Sequence, residues 1–433
     1  MKGQAPPPAT FPYPIVETVL DNGLLVVAVP MDSPGIAAHY VAVRTGSRNE
    51  VEPGLSGFAH FFEHMMFRGT PRFPPDRYND VLKRLGADGN AFTTDDWTCY
   101  HIVAASDQLS TVMDLEADRF MNLSYGVEAF QKEAAAVLGE YNKNASVPFN
   151  ALFEKLHDTA FTAHTYKHTT MGFLKDIEDM PNQYHHSLAF FARWYRADNA
   201  ILVVAGDVRP EEVFALARRH YGAWRPGVAP FSTPVEPAQR EEKSAHLSWP
   251  APTLPLLAIA FHAPAFDAGG IEGHALDVLA SACFAPTSPL HKELVLDRQW
   301  ADWLAAGAED RRDPGFFLVL ARVKDAARVG DVRQAIERTL EQVAKEPLAP
   351  ARLEQVRSRL RYGFLSGLLT PDQVAATVCH YAQLTGETAS IERSFATLAK
   401  VGAGDVAAAS ARVFRPENRT VVTLAPASEG DAN

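Results

Sequence analysis

Gly57-Phe58-Ala59-His60-Phe61-Phe62-Glu63-His64-Met65-Met66-Phe67 is the stretch on which the reading of this chain turns. Its apolar residues predict a buried helix, taken here as Leu55 to Phe67 and stopped by Arg68-Gly69. On such a helix His60 and His64 lie one turn apart on one face, so their imidazoles can converge on a single metal ion. Glu63 flanks that face and can reach a water at the same ion. Three polar side chains among Phe, Met and Leu are costly in a core unless something satisfies them. Zinc would do so, and would lower the pKa of a bound water toward ~7. The plain alternative is a pair of core or interface histidines.

A catalytic zinc takes three protein ligands and keeps one position open. Glu133-Ala-Ala-Ala-Val137-Leu-Gly-Glu140 offers two further carboxylates, seven residues apart and on nearly one helical face. By itself this segment reads better as an amphipathic helix with two exposed glutamates; only beside the His60-x-x-Glu63-His64 stretch does it become the candidate third ligand. His101, His164, His168, His185 and His186 have no comparable spacing with a carboxylate. His185-His186 reads as a surface pair.

Outward from this centre, Ile15–Leu20 and Leu24–Val29 flank the turn signal Asp21-Asn22-Gly23, which predicts a hairpin. Ala37–Thr45 reads as a strand and Ala200–Ala205 as a buried one. Helices are expected at Pro75–Leu85, Gln108–Asn122, Val127–Lys143 and Glu211–His220. Residues 226–244, with Pro226, Pro230, Pro234 and Pro237 and the run Arg240-Glu241-Glu242-Lys243, have the composition of an exposed linker. Beyond it the pattern restarts with a strand at Leu256–His262, a helix at Gly270–Ala282 and a strand at Gly315–Arg322, then helices to the end. Arg193-Trp-Tyr195-Arg196-Ala-Asp-Asn199 and Arg412-Val-Phe414-Arg415-Pro-Glu-Asn418 each lead from a helix through a polar turn into a strand. The chain is therefore expected to be α+β, with two similarly folded α+β domains at 14–225 and 245–427, an extended tail at 1–13 and a short one at 428–433.

The 433 residues are 47% hydrophobic and 21% charged, enough for more than one core. A net charge of −11 speaks against nucleic acid, which needs clustered Lys and Arg. No run reaches the roughly 18 apolar residues of a membrane span. Cys99, Cys283 and Cys379 are widely spaced and odd in number, which leaves metal binding to His and carboxylate. The Pro-rich start has no apolar signal core and suits a mature secreted end, so a periplasmic location is expected, with the cytoplasm as alternative.

His60-x-x-Glu63-His64, followed 76 positions after His64 by Glu140, resembles the M16 zinc metallopeptidases, the inverzincins of pitrilysin and insulin-degrading-enzyme type, in their short two-domain bacterial form. The likeness continues through Gly54-Leu-Ser-Gly57, Phe67-Arg-Gly-Thr70, Asn90-Ala-Phe-Thr-Thr94, Tyr166-Lys-His-Thr-Thr-Met-Gly172, Tyr195–Asn199 and Gly206-Asp207. The resemblance implies a mostly antiparallel sheet flanked by helices in each half, and a chain forming half of a clamshell-like dimer. It implies one zinc per chain on His60, His64 and Glu140, Glu63 as general base, and Glu133 as a supporting carboxylate. It also implies an edge strand at Asn90, Ala91, Phe92 and Thr93 that pairs with the backbone of an extended peptide. The activity implied is endopeptidase cleavage of short or unfolded peptides.

The second half departs from the family pattern, in which an Arg and, seven residues later, a Tyr follow a Ser-x-Leu segment. Aligned on Ser288-Pro-Leu290, those positions are Val295 and Asp302; starting instead from Arg298, the second is Ala305. The expectation is a homologous subunit that lacks the zinc motif but carries Arg and Tyr (a heterodimer), with a homodimer or a narrower peptidase as alternatives. Competing readings are a non-catalytic M16-fold scaffold, a zinc hydrolase of small amides or esters, and a metal-free binding module.

Overall fold

The computed structural model describes residues 10–227 and 230–427; the remainder of the expected tails, 1–9 and 428–433, lies outside the described residues. The first sheet is built from β1 (Val16–Val19), β2 (Leu25–Pro30), β3 (Ile36–Val43), β4 (Asp88–Thr93), β5 (Thr98–Ala105) and β6 (Ala200–Gly206), in the order β1-β2-β6-β3-β5-β4. The second holds β7 (Lys243–Trp249), β8 (Leu256–His262), β9 (Ala301–Ala308), β10 (Phe316–Val323) and β11 (Arg419–Pro426), in the order β7-β11-β8-β10-β9. Each sheet has one parallel pair, β2 with β6 and β7 with β11, and is otherwise antiparallel. Minus β1, the two sheets have one topology: two helix-flanked α+β halves.

The expected hairpin forms as β1 and β2, with Gly23 at φ +84° in the turn and Asn22 Nδ2 donating to the Tyr221 carbonyl at 2.8 Å. The repeated polar turns are also alike. Asn199 Nδ2 donates to the Trp194 carbonyl at 2.9 Å, and Asn418 Nδ2 to the Val413 carbonyl at 2.8 Å.

Several expectations are corrected. The chain does not end in helices, since β11 closes the second sheet, and β5, β7 and β9 were not foreseen. β7 begins at Lys243, inside the expected linker; among the described residues of 225–242 there is no helix or strand. Residues 10–13 are not a free tail: Phe11 is buried, and Tyr13 donates from its hydroxyl to the Leu368 carbonyl at 2.9 Å. Among the described residues no helix is long and apolar enough to cross a membrane.

The two halves exchange helices. Pro148–Ala160, from the first half, lays Leu152 and Leu156 on Ala258, Leu318 and Val422 of the second sheet. Pro371–Thr385, from the second half, lays Val374, Val378 and Ala382 on Val27, Ala38 and Val203 of the first. Burying each such aliphatic side chain contributes roughly 1.5–3 kcal/mol, so neither sheet completes its core without the other half. Partly buried charges join the same seam: Arg48 meets Asp313 at 2.6 Å, and Arg311 meets Asp95 at 2.9 Å.

Candidate metal centre

The helix carrying the decisive stretch runs only from Phe58 to Met65, followed by a 3-10 turn at Met66–Arg68, so the expected Leu55–Phe67 was too long. Gly57 sets its start. It sits at φ +90°, and a Cβ there would lie 2.3 Å from Ile177 Cδ1 and 3.0 Å from the Met171 carbonyl oxygen. The first free N–H groups are taken by a remote carboxylate, Glu50, which accepts from Gly57 N and Ala59 N at 2.7 Å each. Burial pushes Glu50 up to about 8 despite those two bonds. Phe58, Phe61, Phe62 and Met65 are buried in the first core and fix the rotation of the helix.

That rotation turns His60 and His64 toward the long helix Val127–Ala145. Glu140 Oε2 lies 3.2 Å from His64 Nε2 and 3.8 Å from His60 Nε2. The ligand atoms of His60, His64 and Glu140 all fall within 4.8 Å of one another, the one such three-residue group among the described residues. Donors about 2.0–2.1 Å from a tetrahedral ion are roughly 3.3 Å apart, so the set fits zinc with modest closure. Burial, with His64 beside it, holds His60 below the usual histidine range and so in the neutral form a metal requires.

Glu133 takes a different part. Its Oε1 lies 3.1 Å from His64 Nδ1, and its Oε2 accepts from Arg68 Nε. The hydrogen bond to Glu133 raises the pKa of His64 and fixes which ring nitrogen is left for a metal. Glu63 sits at the rim, its Oε2 accepting from Thr93 Oγ1 at 2.7 Å, and burial raises its pKa. A cavity of about 450 Å³ opens here, lined by His60, Glu63 and Glu140 and walled by Phe92, Phe149 and Phe153.

β4 is the outermost strand of its sheet, paired only with β5, so its other edge is open. Of the four residues expected to meet substrate there, Phe92 and Thr93 line the cavity. Ala91 turns into the core, and Asn90 is exposed, accepting from Ala91 N at 2.9 Å. His168 is buried beside Glu50 rather than in the cavity, and His186 is half-buried, its ring 4.5 Å from that of Phe58. The reading of His185-His186 as a surface pair thus holds only for His185. Glu50, Phe149 and Phe153 were not singled out from the sequence, and Arg68 was read only as part of a helix stop; that Arg68 meets Glu133, 65 residues on, no local spacing marks.

The second half repeats the geometry without the donors. Helix Ile271–Phe284 packs beside its own edge strand β9 and carries His274 and Asp277, but Val278 stands where the second histidine would be. A cavity of about 520 Å³ there is mostly apolar. Val295 is partly buried against the second core, and Asp302 is bound to Arg322 Nη2 at 2.8 Å. Arg298 is held by Glu293 at 2.9 Å, so no Arg/Tyr pair stands in this segment.

Residues 26–173 match the Insulinase (Peptidase family M16) domain, and residues 184–360 the Peptidase M16 inactive domain. The chain belongs to peptidase family M16, in the short two-domain form. Over 416 residues it is 28% identical to the zinc protease PqqE of Helicobacter pylori, covering 94% of this chain and 92% of that one. The crystal structure of a protease from Helicobacter pylori superposes with a TM-score of 0.89 at 26% identity, covering 96% of this chain and all, 100%, of that one. A probable mitochondrial-processing peptidase subunit beta of Schizosaccharomyces pombe is 29% identical over 225 residues, 52% of this chain and 49% of that one.

Proposed function

We propose that the chain is a zinc-dependent endopeptidase acting on short or unfolded peptides. The observation that carries this is the convergence of His60 Nε2, His64 Nε2 and a Glu140 carboxylate oxygen within 4.8 Å, with Glu63 at the rim of the same cavity. Zinc held by these donors supplies Lewis acidity toward a peptide carbonyl and makes water more acidic. Glu63, held by Thr93, takes a proton from the attacking water and returns it to the leaving amine. Its burial suits it to both transfers, because a raised carboxyl pKa lies nearer the working pH. The open edge of β4 pairs with the backbone of an extended peptide, which demands no particular sequence and excludes folded proteins.

A homologous subunit supplying Arg and Tyr completes the site. The support is that Val295 and Asp302 stand where the family pattern has that pair, and that a relative named as a subunit of a processing peptidase is 29% identical over 52% of this chain. Losing donors to a tetrahedral intermediate costs on the order of 100-fold in rate.

The deciding experiment is cleavage of an unstructured, fluorescence-quenched peptide by the zinc-loaded chain, with Glu63→Gln as control. Cleavage lost in the variant supports a self-sufficient peptidase and removes the need for a partner. A silent chain holding one zinc, revived by a homologous subunit, supports the divided site. A silent chain that no homologous subunit revives supports the scaffold reading.

A further inference from the structure

The exchanged helix Pro148–Ala160 covers the middle of the second sheet but stops short of one end. Beside its first turn stand Leu256, Trp303 and Arg322 of that sheet. A second cavity of about 560 Å³ lies there, bounded on the other side by Val147, Pro148 and Phe149. Three of its wall residues are large apolar side chains left exposed side by side: Val147 is 41%, Trp303 39% and Phe149 38% accessible. Leaving such side chains in water sacrifices burial energy, and an apolar cleft of this kind marks a place where something else is meant to bind.

Phe149 ties this cleft to the metal centre, because its ring borders both cavities. On one side it stands 4.8 Å from the ring of Phe153 in the metal cavity. On the other it meets Trp303 edge-on at 6.3 Å. An aromatic path thus runs from the metal cavity across the helix N-terminus to the second sheet. The one cation at the outer cleft is neutralised: Arg322 donates from Nη2 to Asp302 Oδ2 at 2.8 Å and from Nε at 3.0 Å. What remains to be recognised there is apolar bulk.

We infer that the cleft between Val147, Phe149 and Trp303 is a second side-chain subsite, which takes a bulky aromatic or aliphatic residue of the peptide held at the metal centre. The inference rests on the peptidase reading and adds a specificity to it: the preferred substrates carry a large apolar residue at a fixed distance from the bond that is cut. Continuity through Phe149 selects the same peptide as occupant, rather than a separate ligand. Trp303 is a specificity residue; it touches no reacting atom.

The test uses the zinc-loaded Glu63→Gln chain, which binds peptide without turning it over. Labelled Gly/Ser peptides, each with a single tryptophan walked along the sequence, are titrated by fluorescence anisotropy. Two registers are expected to bind tighter than the rest, one filling the metal cavity and one the outer cleft. Adding Trp303→Ala should weaken the outer register about tenfold and leave the inner one unchanged. Val147→Glu, at an exposed position, should do the same by placing a charge in the cleft. Equal binding in every register, or an outer register insensitive to both changes, overturns the inference. Failure of the peptidase reading shows separately, as wild-type chain that cleaves none of the peptides, alone or with a homologous subunit, while the variants still discriminate in binding.

Discussion

Glu50 Oε1 accepts the backbone N–H of Ala59 at 2.7 Å, and so grips the helix one residue before His60. With its other oxygen on Gly57 N, this carboxyl does the work a serine or aspartate cap would do from inside the helix. Glu50→Ala should cost about 1–3 kcal/mol, since two buried N–H groups lose their acceptor. Thermal denaturation measures it, and zinc content at limiting metal should fall in parallel.

Glu50 also predicts a pH dependence. Its folded pKa, about 8, lies above the ordinary carboxyl value, so the folded state binds the extra proton. Its favourable contribution is fully present below the unfolded pKa, near ~4.3, and is lost as pH rises toward about 8. Against Glu50→Gln, which cannot ionise, wild type should lose Tm as pH rises through that window. A constant difference in Tm across it would refute the assignment.

Glu63→Gln should lower turnover by on the order of 10²–10⁴-fold while zinc stays stoichiometric. His60→Ala or His64→Ala should instead lose the metal, as read by elemental analysis after dialysis. Activity without bound zinc in either histidine variant would contradict the proposed centre.

Glu133→Gln keeps the size of the side chain but removes the charge that holds His64 Nδ1 and Arg68. Zinc affinity should drop about 10–100-fold, measured by competition with a chromophoric chelator, and excess zinc should restore much of the activity. Arg68→Ala should have a smaller effect in the same direction.

The exchanged helices predict that the halves do not unfold separately. Leu156→Ala, though it lies in the first half, should destabilise the whole chain by about 2–5 kcal/mol, because its cavity opens in the core of the second sheet. Calorimetry should show one transition before and after. Expressed alone, residues 14–225 should expose the sheet face that Val374 and Val378 cover, and should aggregate.

Much of the candidate site was legible because it is local. The spacing of His60, Glu63 and His64 on an apolar helix depends only on helical geometry, and the seven-residue step from Glu133 to Glu140 likewise puts both on one face. Which carboxylate would hold a metal was not legible from spacing. It depends on the approach of two helices, which turns Glu140 toward both Nε2 atoms and Glu133 toward Nδ1 and Arg68. β5 and β9 escaped notice because short apolar runs do not distinguish strand from buried helix without their partners, and β7 because its polar start continues the charged run Arg240–Lys243. The helix start was misplaced at Leu55 because only packing against Ile177 and Met171 reveals that Gly57 must leave the helix.

By itself the sequence determined the α+β class, the hairpin, the repeated turns at Asn199 and Asn418, and a helix bearing two histidines and a glutamate. Each follows from backbone propensities and side-chain period over a few residues. Only the tertiary structure decided that each sheet is capped by the other half's helix, that Glu50 holds the start of the helix bearing His60 and His64, and that Phe149 stands between two cavities. No helix or strand period encodes those relations, most of which join residues far apart along the chain, and they are set by how apolar faces and buried polar groups find partners at once.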